Sequence, residues 1–461
     1  MSAEPRRRDA ETKLVYIETY GCQMNVADTE LMLGLLEARG YQHTESPEGA
    51  DVLLVNTCAV RDNAEQRVIG RMGELMRFKR PGTVLGVVGC MAQRLGPLLL
   101  ERVPRVDLVV GPDGYRNLPD LIRNAETGER AAETGFRSWE HYEDVPPVRT
   151  PGPTQFVTVQ RGCDYKCTFC IVPYTRGPER SRKLEDVVRE VQLLAEQGTT
   201  EVTLLGQTVN SYHDGTHDFA DLLRRVGSVA GIRRLRFTSP YPTDFTDRVI
   251  EAMADTAPVC EHVHLPAQSG SNPVLRRMLR RYTREEYLAV VERLRGAIPG
   301  ITLTTDLIVG FPGETEAQFE ESLSLVREAG FDDAYTFRYS LREGTPAVKL
   351  RDRVSDEVAS ERLGRLIELV RAQARARNLP HIGTMDEVLV ERPARRGGLM
   401  LGRTRTNRMV LLDVPASSVG QYHQVRLTGT TGSTFTGSIV EPALAVMTPR
   451  SRNAETPSAG P

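Results

Sequence analysis

Two hydrophobic periodicities alternate along the first 145 residues. Short runs of consecutive apolar residues predict buried strands at Leu14–Ile17, Val52–Val55, Val84–Val88 and Val106–Val110. Between the first two, Leu31, Leu35 and Leu36 recur at helical spacing within Asp28–Arg39, and Gly40 supplies the stop. Strands separated by helices read as an α/β layer on a parallel sheet, here an N-terminal domain over 12–145. Four prolines and a glycine crowd into Val145–Pro153 and set its boundary.

From Thr154 to about Pro346 the strand and helix signals repeat six times, with strands near Phe156, Val202, Leu235, His262, Leu303 and Tyr335. Leu184–Gln197 and Ala317–Glu328 are two of the intervening helices. Six such units predict an α/β fold of the partial (β/α)6 barrel type over 154–346, with its chemistry in the loops that follow the strands. An arginine-rich helix, Asp356–Arg377, extends this domain to about 380. Strand-like runs at Glu387–Val390, Met409–Leu412 and Thr434–Ile439, separated by glycine-rich turns, predict a small C-terminal β-barrel over 384–443. The polar tail, 447–461, is rich in proline, serine and alanine and reads as disordered.

Composition adds limits. The 461 residues are 40% hydrophobic and 26% charged, ordinary values for a soluble globular protein. No apolar run approaches the roughly 20 residues of a membrane span, and no apolar stretch follows Arg6, Arg7 and Arg8 as a secretory signal requires. A cytoplasmic location follows as an expectation. A net charge of −2 leaves any nucleic-acid binding to local patches. One such patch is Glu391–Arg408, where Arg392, Arg395, Arg396, Arg403, Arg405 and Arg408 face one acid, a balance suited to a phosphate backbone.

The seven cysteines carry the chemistry, because grouped cysteines in a reducing compartment bind metal more often than they pair. Cys163, Cys167 and Cys170 follow the first barrel strand in a CxxxCxxC string. Three thiolates given to a cubane that ordinarily takes four leave one iron open for a cofactor or substrate. Cys22, Cys58 and Cys90 each follow a predicted strand, at spacings of about one βα unit. Parallel strands would deliver them to one edge of the sheet, making a second three-cysteine site. The bland alternatives are a zinc knuckle and buried structural thiols. Cys260 stands alone in apolar surroundings and reads as core.

The CxxxCxxC string, with Phe169 before its third cysteine, resembles the signature of the radical S-adenosylmethionine (SAM) superfamily. With the three upstream cysteines and the C-terminal barrel, the whole chain from Tyr16 to about Glu441 resembles the methylthiotransferase family. Gly21-Cys-Gln-Met-Asn25, Gly89-Cys-Met-Ala-Gln93 and Cys167-Thr-Phe-Cys-Ile-Val-Pro-Tyr-Thr-Arg-Gly177 are most similar to the branch that acts on N6-isopentenyladenosine of tRNA. Ala59 occupies a position where serine is common.

That resemblance implies methylthiolation of carbon 2 of the adenosine next to the anticodon. It also implies two SAM molecules per product, two 4Fe-4S clusters, a TRAM-like RNA-binding barrel, and an electron donor such as flavodoxin or ferredoxin. The tRNA would be engaged at its anticodon arm. Phe169, Gln207 and Asn210 are the expected cofactor contacts. His264–Gly270 and Asp306–Glu314 also carry turn glycines among amides and carboxylates at strand ends. The rival readings are the same chemistry on another tRNA adenosine or on a ribosomal-protein aspartate, and an RNA-binding protein whose clusters are purely structural.

Overall fold

The computed structural model describes residues 12–59, 62–395 and 397–440, with only the backbone of 62–66. The expected disordered tail, 447–461, lies outside these residues, as does Arg396. The chain divides into two compact units, 1–374 and 375–461. No helix among the described residues is long and apolar enough to cross a membrane.

The first unit opens with a six-stranded parallel sheet. Its strands are β1 (Lys13–Tyr20), β2 (Tyr41–His43), β3 (Val52–Thr57), β4 (Val84–Gly89), β5 (Leu108–Val110) and β6 (Ala131–Glu133), in spatial order β2-β1-β3-β4-β5-β6. Every residue of β3 and β4 is buried, as central strands covered by helices on both faces require. The four expected strands are present; the short edge strands β2 and β6 gave no apolar run to read. The first helix begins earlier than expected, at Gln23 rather than Asp28, because Cys22 serves as its N-cap, with Asn25 closing the box.

The barrel strands are β7 (Thr154–Thr158), β10 (Glu201–Leu205), β11 (Arg234–Phe237), β12 (His262–His264), β13 (Thr302–Val309) and β14 (Asp333–Arg338). A two-stranded ribbon, β8 (Gln160–Arg161) with β9 (Arg180–Ser181), brackets the CxxxCxxC loop. The six strands form two parallel halves, β11-β10-β7 and β12-β13-β14, joined by a bridge from Leu235 to Val259. One continuous core of valines, leucines and aromatics fills this partial barrel. The helix Glu316–Ala329 is closed at its start by a capping box of Thr315 and Gln318 and at its end by left-handed Gly330.

In the second unit β15 (Met385–Pro393), β16 (Met400–Thr404), β17 (Met409–Leu412), β18 (Tyr422–Thr430) and β19 (Thr434–Ile439) close into a five-stranded barrel. Its core is Val388, Val390, Met400, Val410, Leu412, Val425, Leu427 and Phe435. These alternate with outward positions, as a barrel with a filled interior demands.

Candidate active site

Register places the first three cysteines. Tyr20 pairs with Thr57, and Thr57 with Gly89, so three neighbouring strands end level. Cys58 and Cys90 follow their strands directly, and Cys22 comes two residues after its own. The Cys58 amide donates to the Tyr20 carbonyl at 3.0 Å. Reciprocal amide bonds stitch the loops together: Asn25 Nδ2 donates to Asn56 Oδ1 at 3.1 Å, and Asn56 Nδ2 to the Asn25 carbonyl at 2.7 Å. Gly89 has φ +94°, and a Cβ there would stand 2.5 Å from Asn56 Oδ1. No other residue fits that turn.

The second triad lies on a loop held from several sides. The Cys163 amide donates to the Gly177 carbonyl, the Thr168 amide to Met278, and the Ala347 amide back to Thr168. Gly162, at φ +79°, lets the chain pass Pro178, whose carbonyl oxygen a Cβ would meet at 1.9 Å. Arg280 reaches in from the opposite half of the barrel. Its Nη1 donates to Cys167 Sγ at 3.5 Å, its Nη2 to the Pro266 carbonyl at 3.2 Å and its Nε to the Tyr282 hydroxyl at 2.9 Å. The guanidinium lies 4.3 Å over the Tyr241 ring, which itself stacks on Tyr165 at 3.6 Å.

All six cysteines line one cavity of about 270 Å³. Phe169, Arg176, Gln207, Tyr241, Arg280 and Asp306 are also in its wall. Ser239 and Gln268 hold positive φ values of 59° and 68°, strained conformations of the kind that gather at functional sites. Of the three expected cofactor contacts, Phe169 and Gln207 line this cavity and Asn210 does not. The Asn210 amide is spent on Tyr241, donating to its carbonyl at 2.9 Å and accepting from its N–H at 2.7 Å. Cys260 lies outside the wall, buried as expected of a core residue. Glu314, from another of the strand-end strings, accepts from the Gly310 amide at 2.7 Å and from Arg362 at 3.1 Å, so it braces its own loop.

The donor set fits two clusters with three cysteine ligands each. None of the seven cysteines is tied up in a disulfide. Burial pushes Cys163 up to about 11 and Cys170 up to about 12, so both are protonated at neutral pH and must lose protons when they take metal. The hydrogen bond with Cys58 outweighs burial at Cys22 and brings it down to about 6. Elsewhere Glu185, Asp214 and His217 converge, but Asp214 already accepts from the amides of Leu184, Thr216 and His217, which makes it a loop and helix brace.

Sequence reasoning passed over one buried assembly, because it joins residues more than 130 positions apart. Asp28 is fully buried and takes Arg161 Nη1 at 2.9 Å and Arg176 Nη2 at 2.8 Å. Burial alone would raise its carboxyl, but the charges of Arg176 and Arg161 hold it below the usual range. The triplet ties the helix after Cys22 to both flanks of the CxxxCxxC loop. Asp28→Asn keeps the shape and strands two buried guanidiniums, so urea unfolding is expected to show a loss of about 3–5 kcal/mol.

A partial barrel with a three-cysteine loop after its first strand, sharing one cavity with a second cysteine triad, defines a radical SAM protein. The chain matches the Radical SAM superfamily over residues 157–326 and the Uncharacterized protein family UPF0004 over 14–111. Among solved structures, the radical SAM methyltransferase TsrM from Kitasatospora setae shares the fold, with a TM-score of 0.56 at 17% identity, covering 73% of this chain and 77% of that one.

The chain belongs to the tRNA-2-methylthio-N(6)-dimethylallyladenosine synthases. Its identity to the protein of that name from Geobacillus kaustophilus (strain HTA426) is 46% over 444 residues, covering 94% of this chain and 83% of the relative. For the Geobacter sulfurreducens protein the identity is 46%, covering 93% and 98%. For the Jannaschia sp. (strain CCS1) protein it is 41%, covering 95% and 97%.

Proposed function

We propose that the two triads divide the labour of tRNA methylthiolation, with Cys163, Cys167 and Cys170 holding the cluster that binds SAM and Cys22, Cys58 and Cys90 holding an auxiliary 4Fe-4S cluster. The substrate is N6-isopentenyladenosine next to the anticodon, modified at carbon 2. The observation that carries this reading is the single cavity that both triads line. When bound, the first cluster supplies the electron that cleaves SAM, and the auxiliary cluster supplies the seat for the sulfur to be transferred.

The chain's own residues position and enclose. A second hollow of about 670 Å³ combines Ile308, Phe337 and Tyr339 with Arg338, Ser340 and Arg342, and shares Phe169, Cys170, Ile171, Val172, Gln268 and Asp306 with the first. Its size and its mix of apolar and polar groups suit the adenosyl part of the cofactor beside the loop of Cys163, Cys167 and Cys170. Phe169 is fixed there edge-on to Phe311 at 6.4 Å. Gln207 accepts from the Gly162 amide and so fixes the turn before Cys163. Asn210 acts one step back, through Tyr241.

We divide the chain by task into a methylthiotransferase domain over 12–145, a radical SAM domain over 154–346 with its helical extension, and a TRAM-like domain over 384–443. The proposed activity calls for a cytoplasmic location and an electron donor of the flavodoxin or ferredoxin type. Mass analysis of tRNA nucleosides from cells lacking the protein tests the whole reading. N6-isopentenyladenosine should accumulate and its 2-methylthio derivative vanish; an unchanged nucleoside profile would sink it.

The second unit refines the arginine patch. Arg403 donates to Glu391 at 3.1 Å and to Asn407 at 2.9 Å, and Arg408 donates to Thr406 at 2.7 Å and lies 2.9 Å from His381. These two brace the barrel, whereas Arg392 and Arg395 are exposed. Glutamine at Arg392 and Arg395 together should weaken binding of the tRNA anticodon arm and flatten its salt dependence by about one unit of slope for each phosphate no longer neutralised. Filter binding across a salt series checks this, with SAM cleavage as the unaffected control.

A further inference from the structure

The buried triplet of Asp28, Arg161 and Arg176 does not balance. Within the triplet one carboxylate faces two guanidiniums, all three nearly solvent-free, so the excess positive charge falls to the groups around it, Cys22 and Cys90 among them. Interior charges are retained where something pairs with them. Arg161 lies 5.1 Å over the Tyr142 ring, which gives it a second partner. Arg176 has no aromatic cover: its Nη2 is used by Asp28, while its Nη1 is buried with no hydrogen bond of ordinary geometry, and the guanidinium bears on the Cys90 thiol. Its position is unusual as well. It ends the helix Val172–Arg176, on the loop of the second triad, yet it lines the cavity beside Cys22, Cys58 and Cys90. Residues 90–95 pack against that helix, and Ile171 at its start touches Ala59 and Cys90 in a small buried cluster.

We infer that Arg176, although carried by the loop of the SAM-binding triad, is a positioning residue for the other one, where its free Nη1–H donates to an anionic sulfur held at the Cys22–Cys58–Cys90 site. An iron–sulfur group ligated by thiolates is rich in negatively charged sulfur. That is the partner an unbalanced guanidinium with a spare donor fits. Asp28 plays the orienting part by fixing the other nitrogen, so the free N–H has a defined aim. The sulfur is either a sulfide of the group itself or an added hydrosulfide on its open iron. A hydrogen bond to sulfur, and a positive charge beside it, favour the reduced state and raise the potential.

This inference rests on the assignment of a cluster to the first triad, and the experiment separates the two. In a background with Cys163, Cys167 and Cys170 replaced by alanine, the reconstituted protein carries the first site alone. Iron and an electron paramagnetic resonance signal in that background, with Arg176 intact, uphold the cluster assignment; their absence there overturns that assignment and the inference with it. Arg176→Met is then expected to lower the midpoint potential, and Arg176→Lys to fall between, because one ammonium cannot serve Asp28 and the sulfur together.

Titration with sodium hydrosulfide distinguishes the sources. A tenfold or greater loss of hydrosulfide affinity in Arg176→Met marks the added anion, and a lowered potential with unchanged affinity marks the group's own sulfide. If Arg176→Met takes up no iron, the comparison is made between wild type and Arg176→Lys. Potential and hydrosulfide affinity both unchanged in an iron-replete variant would falsify the role.

Discussion

Alanine at Cys163, Cys167 and Cys170 together is expected to leave about half of the iron and to abolish reductive cleavage of SAM. The fraction follows from two sets of three thiols, placed by two separate sheets. The loss of cleavage follows because the removed set sits after the first barrel strand, beside the hollow proposed for the adenosyl group. The fold should persist, since this loop is tied mainly by backbone bonds to Gly177, Met278 and Ala347. Iron analysis with a single-turnover assay for methionine release decides the matter, and full iron content would show that the six cysteines do not form two independent sites.

The complementary variant, with Cys22, Cys58 and Cys90 replaced by alanine, should still cleave SAM when reduced and yet form no methylthio product. Its remaining cluster keeps the ligands, the Arg280 bond to Cys167 and the Tyr165–Tyr241 stack. What this variant lacks is the proposed seat for sulfur across the cavity. Quantifying 2-methylthio nucleoside against cleaved cofactor separates the two functions in one reaction. Product at the wild-type level would make the upstream cysteines structural.

Much of this site was legible because its signals are local. A strand-sized apolar run followed by a cysteine, found three times at one βα unit's spacing, is a statement about neighbouring residues, and the level ends of Tyr20, Thr57 and Gly89 bear it out. The CxxxCxxC loop is more local still. The start of the first helix was missed for a related reason: Cys22 as N-cap is not among the usual capping residues. Asp28, Arg161, Arg176, Tyr241 and Arg280 left no trace as a group, because buried pairs that span most of a domain have no period and no spacing. Asn210 stood in a string of the right chemistry, but whether an amide faces a ligand or a backbone is settled by packing, here by Tyr241. The arginine run likewise read as one patch, and the fold ties part of it to Glu391 and His381.

The two triads also differ in how far apart their members lie along the chain. Cys163 to Cys170 is a span that a short loop closes at small entropic cost, so these thiols are neighbours even where the barrel is unformed. Cys22 and Cys90 are brought together only by correct pairing of three parallel strands, a long-range event that is slow to complete. Iron offered to a nascent or partly unfolded chain therefore meets one ready chelate and one that does not yet exist, and loading of the sheet-edge site reports that the N-terminal sheet has paired.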